Sequence, residues 1–85
     1  MDSNWDRATP HIRIQMYPGR DEDTKKKLTQ SISACVQNVL AANEGGISVA
    51  IEEIKSENWT AEVVEKEFEK HADTITKWPN YYHKK

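Results

Sequence analysis

The sequence predicts an α+β fold: a strand–helix–strand unit with parallel strands, then a C-terminal helix, with the sheet completed by dimerisation. Three observations predict it. Apolar side chains alternate at Ile12, Ile14 and Met16, and again at Ile47, Val49 and Ile51. After each of these segments the apolar spacing changes to that of a helix. The chain has 85 residues and one cysteine, so neither a large core nor an intrachain disulfide is available to a free subunit.

Residues 1–9 are polar and aperiodic apart from Trp5 and read as an extension outside the core, of native or expression-vector origin. Pro10 opens the first strand, where a missing N–H does least damage. Ile12, Ile14 and Met16 face one way and Arg13 and Gln15 the other, as in a half-buried strand. Tyr17-Pro18-Gly19 ends it in a turn. Asp21 is a helix N-cap, and Glu22 and Asp23 favour the positive end of the helix dipole. Leu28, Ile32, Cys35, Val36, Val39 and Leu40 form one apolar stripe, in which Cys35 is expected to pack into the core. Asn43-Glu44-Gly45-Gly46 stops this helix, with a glycine available for a left-handed cap.

The second strand alternates Ile47, Val49 and Ile51 with Ser48, Ala50 and Glu52, and its phase breaks at Glu52-Glu53-Ile54, at a bulge or the strand end. A polar loop leads to Trp59. Thr60 is placed to cap a second helix with Ala61, Val64, Phe68, Ala72 and Ile75 on its apolar face. Trp78 precedes Pro79, which disfavours further helix. The folded domain is thus residues 10–82, and residues 83–85 form a basic tail. Two parallel strands alone leave open edges that invite pairing, so two such units are expected to share one sheet.

There are 12 basic and 14 acidic side chains and a net charge of −2, which gives no general attraction to nucleic acid. Lys25-Lys26-Lys27 and Lys84-Lys85 are short runs of solvated surface or tail. No apolar run approaches the roughly 20 residues that span a bilayer. The first residues lack the apolar stretch of a signal peptide, and a cytoplasmic location is expected. His11, His71 and His83 lack metal-finger spacing.

Three residues stand out from a plain scaffold. Arg20 precedes a helix N-terminus, where the dipole disfavours a cation. It is either half of a surface ion pair or a holder of an anion, since a guanidinium grips a carboxylate bidentately. Pro10 is either a strand-opening proline or a special one. Trp59 either covers the end of a small core or walls a site. Composition and periodicity leave the function open.

Taken together, Pro10-His11-Ile12-Arg13-Ile14, Gly19-Arg20, Ser48-Val49-Ala50-Ile51-Glu52-Glu53-Ile54 and Trp59 resemble the tautomerase superfamily, in its 4-oxalocrotonate tautomerase group. That group has a proline opening the first strand, a Gly-Arg pair at the strand-to-helix turn and an aromatic residue after the second strand. The long second helix and Lys77-Trp78-Pro79-Asn80-Tyr81 resemble the dimeric branch that includes phenylenolpyruvate tautomerase. The resemblance implies a cofactor-independent keto–enol tautomerase in which an amino-terminal proline is the general base, here Pro10. Arg20 would hold the substrate carboxylate or steady the enolate, and Trp59 would wall the pocket. Neither metal nor organic cofactor is implied. Ser48 stands where the oxalocrotonate enzymes carry another arginine, so the implied substrate is a 2-keto or enol monocarboxylate such as a phenylpyruvate, with Ser48 donating a hydrogen bond. A homodimer is preferred over a trimer of dimers.

One covalent fact qualifies this. Pro10 follows Thr9, so its nitrogen is an amide whose lone pair is delocalised, and an amide is no general base. The implied chemistry requires an active form that begins at Pro10. The alternative is a non-catalytic dimeric binding module in which residues 1–9 fold over the pocket, with Trp5 as a plug.

Overall fold

The computed structural model describes residues 9–82. The readings placed on Trp5 and on the basic tail lie outside them. The chain divides into two compact units, Met1–Glu53 and Ile54–Lys85.

The first unit contains β1 (His11–Met16), α1 (Glu22–Leu40) and β2 (Ser48–Glu53). β1 and β2 pair in parallel as a two-stranded sheet, with His11 opposite Ser48 and Met16 opposite Glu53. This is the expected βαβ unit, and α1 packs on β2. The alternation sorts the side chains by face. Ile12, Ile14, Met16, Val49 and Ile51 are half-buried, while His11, Arg13, Ser48 and Ala50 are exposed on the opposite face. That outer face is cross-linked: Arg13 pairs with Glu52, and Gln15 Nε2 donates to the same carboxylate at 3.1 Å. β2 ends at Glu53, so the break in phase marks the strand end.

Asp21 caps α1 as its position predicts, accepting from the Thr24 N–H at 2.8 Å. Those hydrogen bonds from Thr24 hold its carboxyl below the ordinary value. A carboxyl with a depressed folded-state pKa stabilises the fold fully above its unfolded value, and the contribution drains away as pH falls through the folded value. Asp21→Asn keeps a capping oxygen and is expected to flatten the acid side of a melting-temperature profile. Asp21→Ala loses the cap as well and is expected to melt lower at every pH above that range. Lys25 ties the first helical turn to the strand end, with Nζ 2.9 Å from Glu22 and 3.5 Å from Glu53.

Three local expectations are corrected. Cys35 is exposed, and Val39 and Leu40 are 71% and 56% exposed, although Leu28, Ile32 and Val36 are half-buried. Two strands cover only one sector of a helix, and the rest of the stripe lies beyond them. The left-handed residue that ends α1 is Ala41 (φ 55°) rather than a glycine. That conformation costs a non-glycine residue about 1 kcal/mol. Asn43 instead caps the 3₁₀ turn Glu44–Gly46, accepting from the Gly45 N–H at 2.9 Å.

The third correction concerns the second unit. After a 3₁₀ turn at Ser56–Asn58, the helix Thr60–Glu69 is wound as a π-helix and ends well short of the expected length. Trp59, not Thr60, is its N-cap, and makes no side-chain capping bond. Hydrogen bonding from i to i+5 widens the turn and moves the inward face. Val63 is therefore the buried residue at 4% exposure, while Ala61 is exposed. Phe68, near its C-terminal end, forms an aromatic cluster with residues that follow it. Phe68 meets Trp78 edge-on at 5.7 Å and Tyr82 at 5.3 Å, and Trp78 stacks on Tyr82 at 5.5 Å. Each such pair contributes about 0.5–1.5 kcal/mol beyond its buried area. No described helix is long and apolar enough to cross a membrane.

Candidate functional site

Three of the four residues singled out by sequence belong to the first unit. Pro10 is half-buried immediately before β1, and its carbonyl accepts from the Ser48 N–H at 3.2 Å. The parallel register therefore sets Pro10 beside the start of β2. The Ser48 side chain is exposed there, with Oγ 2.6 Å from His11 Nδ1. A Pro–His dipeptide and a serine 37 positions away thus form one cluster at one end of the sheet.

Arg20 is exposed between the β1 turn and the helix cap. Gly19 makes the turn, at φ +124°, a conformation strained for any residue with a Cβ. Two of the neighbouring acids are engaged elsewhere: Asp21 with the Thr24 N–H and Glu22 with Lys25. Among the described residues Arg20 makes no ion pair. A guanidinium left without a carboxylate beside a helix N-terminus can accept an external anion.

Trp59 belongs to the second unit. It is half-buried, and its Nε1 donates to the Tyr81 hydroxyl at 3.1 Å. That bond fixes the indole plane against the C-terminal segment and gives its N–H a partner.

An open groove of about 530 Å³ lies between the start of α1 and β2, floored by Val49 and Ile51 and walled by Glu22, Asp23, Lys25, Lys26 and Thr29. None of Pro10, Arg20 and Ser48 lines it. Lys25 cannot serve there as a neutral amine: its hydrogen bond to Glu22 raises its pKa, outweighing partial burial.

Sequence reasoning passed over His11, noting only its distance from the other histidines. The signal was present in the parallel pairing. Once the residue after Pro10 and the residue after Ile47 are taken as the two strand starts, His11 and Ser48 become cross-strand neighbours.

Comparison with known proteins agrees with the fold. The tautomerase family model, described as tautomerase enzyme, matches residues 10–69. Tautomerase PptA from Pectobacterium atrosepticum is 32% identical over 73 residues, 85% of this chain and 96% of that protein. Tautomerase PptA from Escherichia coli is likewise 32% identical over 73 residues, with the same shares covered. Among solved structures, TomN, a 4-oxalocrotonate tautomerase homologue in the tomaymycin biosynthetic pathway, superposes with a TM-score of 0.57 at 26% identity, covering 59% of this chain and 77% of TomN. DmpI from Helicobacter pylori gives a TM-score of 0.53 at 32% identity, over 55% of this chain and 79% of DmpI. With the family model matched over residues 10–69, the chain belongs to the tautomerase family of enzymes.

Proposed function

We propose that this chain is a keto–enol tautomerase acting on a small 2-keto or enol monocarboxylate, with an aryl acid such as phenylenolpyruvate as the fitting substrate. The observation that carries the reading is Arg20, an exposed guanidinium with no described ion pair, set by Gly19 between β1 and α1. Its role is to hold the substrate carboxylate or steady the enolate oxygen. A single such cation, with Ser48 offering only a hydrogen bond, suits one carboxylate better than two.

In the form that begins at Pro10, the base is the free secondary amine. An α-amino group titrates at about 8, and a cation brought beside it would favour its neutral form; within one chain Arg20 lies beyond the opposite end of β1, so such a cation would come from a second subunit. The neutral amine takes a proton from the carbon beside the carbonyl and returns it to oxygen, or the reverse. Trp59 is assigned to the pocket wall on the family resemblance. The reading is tested by assaying phenylenolpyruvate ketonisation with the chain begun at Pro10, where a rate no higher than that of solvent would end it.

The subunit is proposed to act as a homodimer. Among the described residues only Ala42, Ile54 and Val63 are buried hydrophobics, and α1 buries no residue fully. A chain with so little core gains its stability by covering the α1 stripe and the open strand edges with a second copy. The cross-linked polar face of the sheet needs no such cover, which favours two chains over six. Sedimentation equilibrium is expected to return the mass of two chains, and a one-chain mass would contradict the shared sheet.

The acylated nitrogen of Pro10 favours a second reading, a binding module of the same fold, for any form that keeps Thr9. An inactive chain retaining Thr9 that still binds phenylpyruvate in calorimetry would support it.

A further inference from the structure

The second unit holds one hydrogen bond that burial does not explain. Trp59 Nε1 donates to the Tyr81 hydroxyl at 3.1 Å, across 22 positions of sequence. Trp59 is only half-buried and Tyr81 is 63% exposed, so water could serve both groups as well. What the bond supplies is orientation. The torsion that turns an indole about its stem is broad and has little preference of its own. A partner on Nε1 selects one edge and holds the plane.

Tyr81 is placed for this by contacts of its own. Its ring lies 6.2 Å from that of Phe68, tilted by 38°. The Tyr82 N–H closes a turn on the Pro79 carbonyl at 3.3 Å, and Tyr82 stacks on Trp78, so the segment that carries Tyr81 is tied down on both sides. The helix Thr60–Glu69 makes no capping bond with the Trp59 side chain, and its start does not orient the indole.

We propose that Tyr81 is the positioning residue of Trp59, and that the two together form the subsite for the aryl group of a 2-keto acid. The proposal rests on the tautomerase reading, in which Trp59 walls the pocket, and names the residue that sets the angle of that wall and the group it selects. An aryl ring meets an indole favourably when offset-stacked or edge-on, so the gain depends on a plane held before the substrate arrives. Burial of an alkyl group has no preferred direction. A fixed indole therefore discriminates aryl from alkyl acids, where a turning one would only be apolar.

The test follows deuterium entry at C3 of phenylpyruvate and of 2-oxobutanoate by proton NMR. It uses the chain begun at Pro10 and its Tyr81→Phe, Trp59→Phe and doubly substituted forms. Tyr81→Phe keeps the ring beside Phe68 and removes only the acceptor, and melting temperatures check that each variant is folded. The unsubstituted chain is expected to prefer phenylpyruvate in kcat/KM. Tyr81→Phe is expected to lower that preference by roughly 3- to 10-fold, the contribution of about one aromatic pair. The loss should fall on KM for phenylpyruvate more than on kcat, with a smaller change for 2-oxobutanoate. With Trp59→Phe in place there is no indole N–H, and Tyr81→Phe is expected to lower the preference no further. A preference that survives Tyr81→Phe, or that falls equally with and without the indole, overturns the proposal and leaves the tautomerase reading standing. So does an equal loss on both substrates, which would make Tyr81 part of the scaffold. Exchange no faster than in solvent with either acid removes that reading and this proposal together.

Discussion

Cleavage of the Thr9–Pro10 bond is expected to raise the ketonisation rate by roughly 10²–10⁴-fold, the usual contribution of a well-placed general base. The expectation follows from a single bond. While Thr9 is attached, the proline nitrogen shares its lone pair with the Thr9 carbonyl and cannot accept a proton at neutral pH. Once freed, it is a secondary amine at the end of β1, and a cation nearby would lower its pKa towards the working range. The comparison needs two proteins of defined terminus, checked by intact mass and assayed at equal concentration. The trimmed form should gain activity as pH rises through the titration of the amine, because only the neutral amine is basic. Pro10→Ala in the trimmed form leaves a primary amine and is expected to lose much of the gain. Equal rates for the two forms would show that the nitrogen of Pro10 has no part in proton transfer.

Arg20→Ala in the Pro10-initiated form is expected to lower kcat/KM by about 10²–10³-fold, the range for removal of one donor to a developing oxyanion. The division of the loss between kcat and KM identifies the role. A fall in kcat means that the guanidinium stabilises the enolate, whereas a rise in KM alone means that it grips the carboxylate equally in ground and transition states. Arg20→Lys restores the charge but not the bidentate fork and is expected to recover only part of the loss. The substitution is structurally clean. Arg20 is exposed and has no described ion pair, and it lies beside the positive end of α1. Its removal should therefore leave the melting temperature unchanged or slightly higher. A variant with a lowered melting temperature and unaltered kinetics would assign Arg20 to the scaffold.

What the sequence disclosed depended on whether the controlling interactions were local. The alternation at Ile12, Ile14 and Met16 located β1, and Asp21 announced the cap because a carboxylate needs only the amide three residues on. The break at Glu53 was legible for the same reason. Ala41 was not, since Gly45 and Gly46 are intrinsically better suited to the left-handed cap. The winding of Thr60–Glu69 was hidden too. Apolar residues three and four apart fit an α-helix, and nothing in them signals a π-helix. Cys35 was misjudged because a stripe shows which side of a helix is apolar, not how much of it one sheet can cover. Pro10, Arg20, Ser48 and Trp59 were singled out through their order along the chain. The pairing of His11 with Ser48 waited for the register, which brings together residues 37 apart.

Pro10 is anchored to the sheet through its carbonyl, which accepts the Ser48 N–H, and not through its nitrogen. Exchange of the acyl group for hydrogen therefore leaves the ring's own tether in place. On the proposed mechanism, activity is then set by covalent capping at one atom, with no change of conformation needed to transmit it. A retained leader, a formyl group or an acetyl group would silence the amine equally. The specific activity of a preparation would then measure its fraction of uncapped termini. Two samples of identical fold and purity could differ by orders of magnitude in rate, and terminal mass spectrometry would account for the difference.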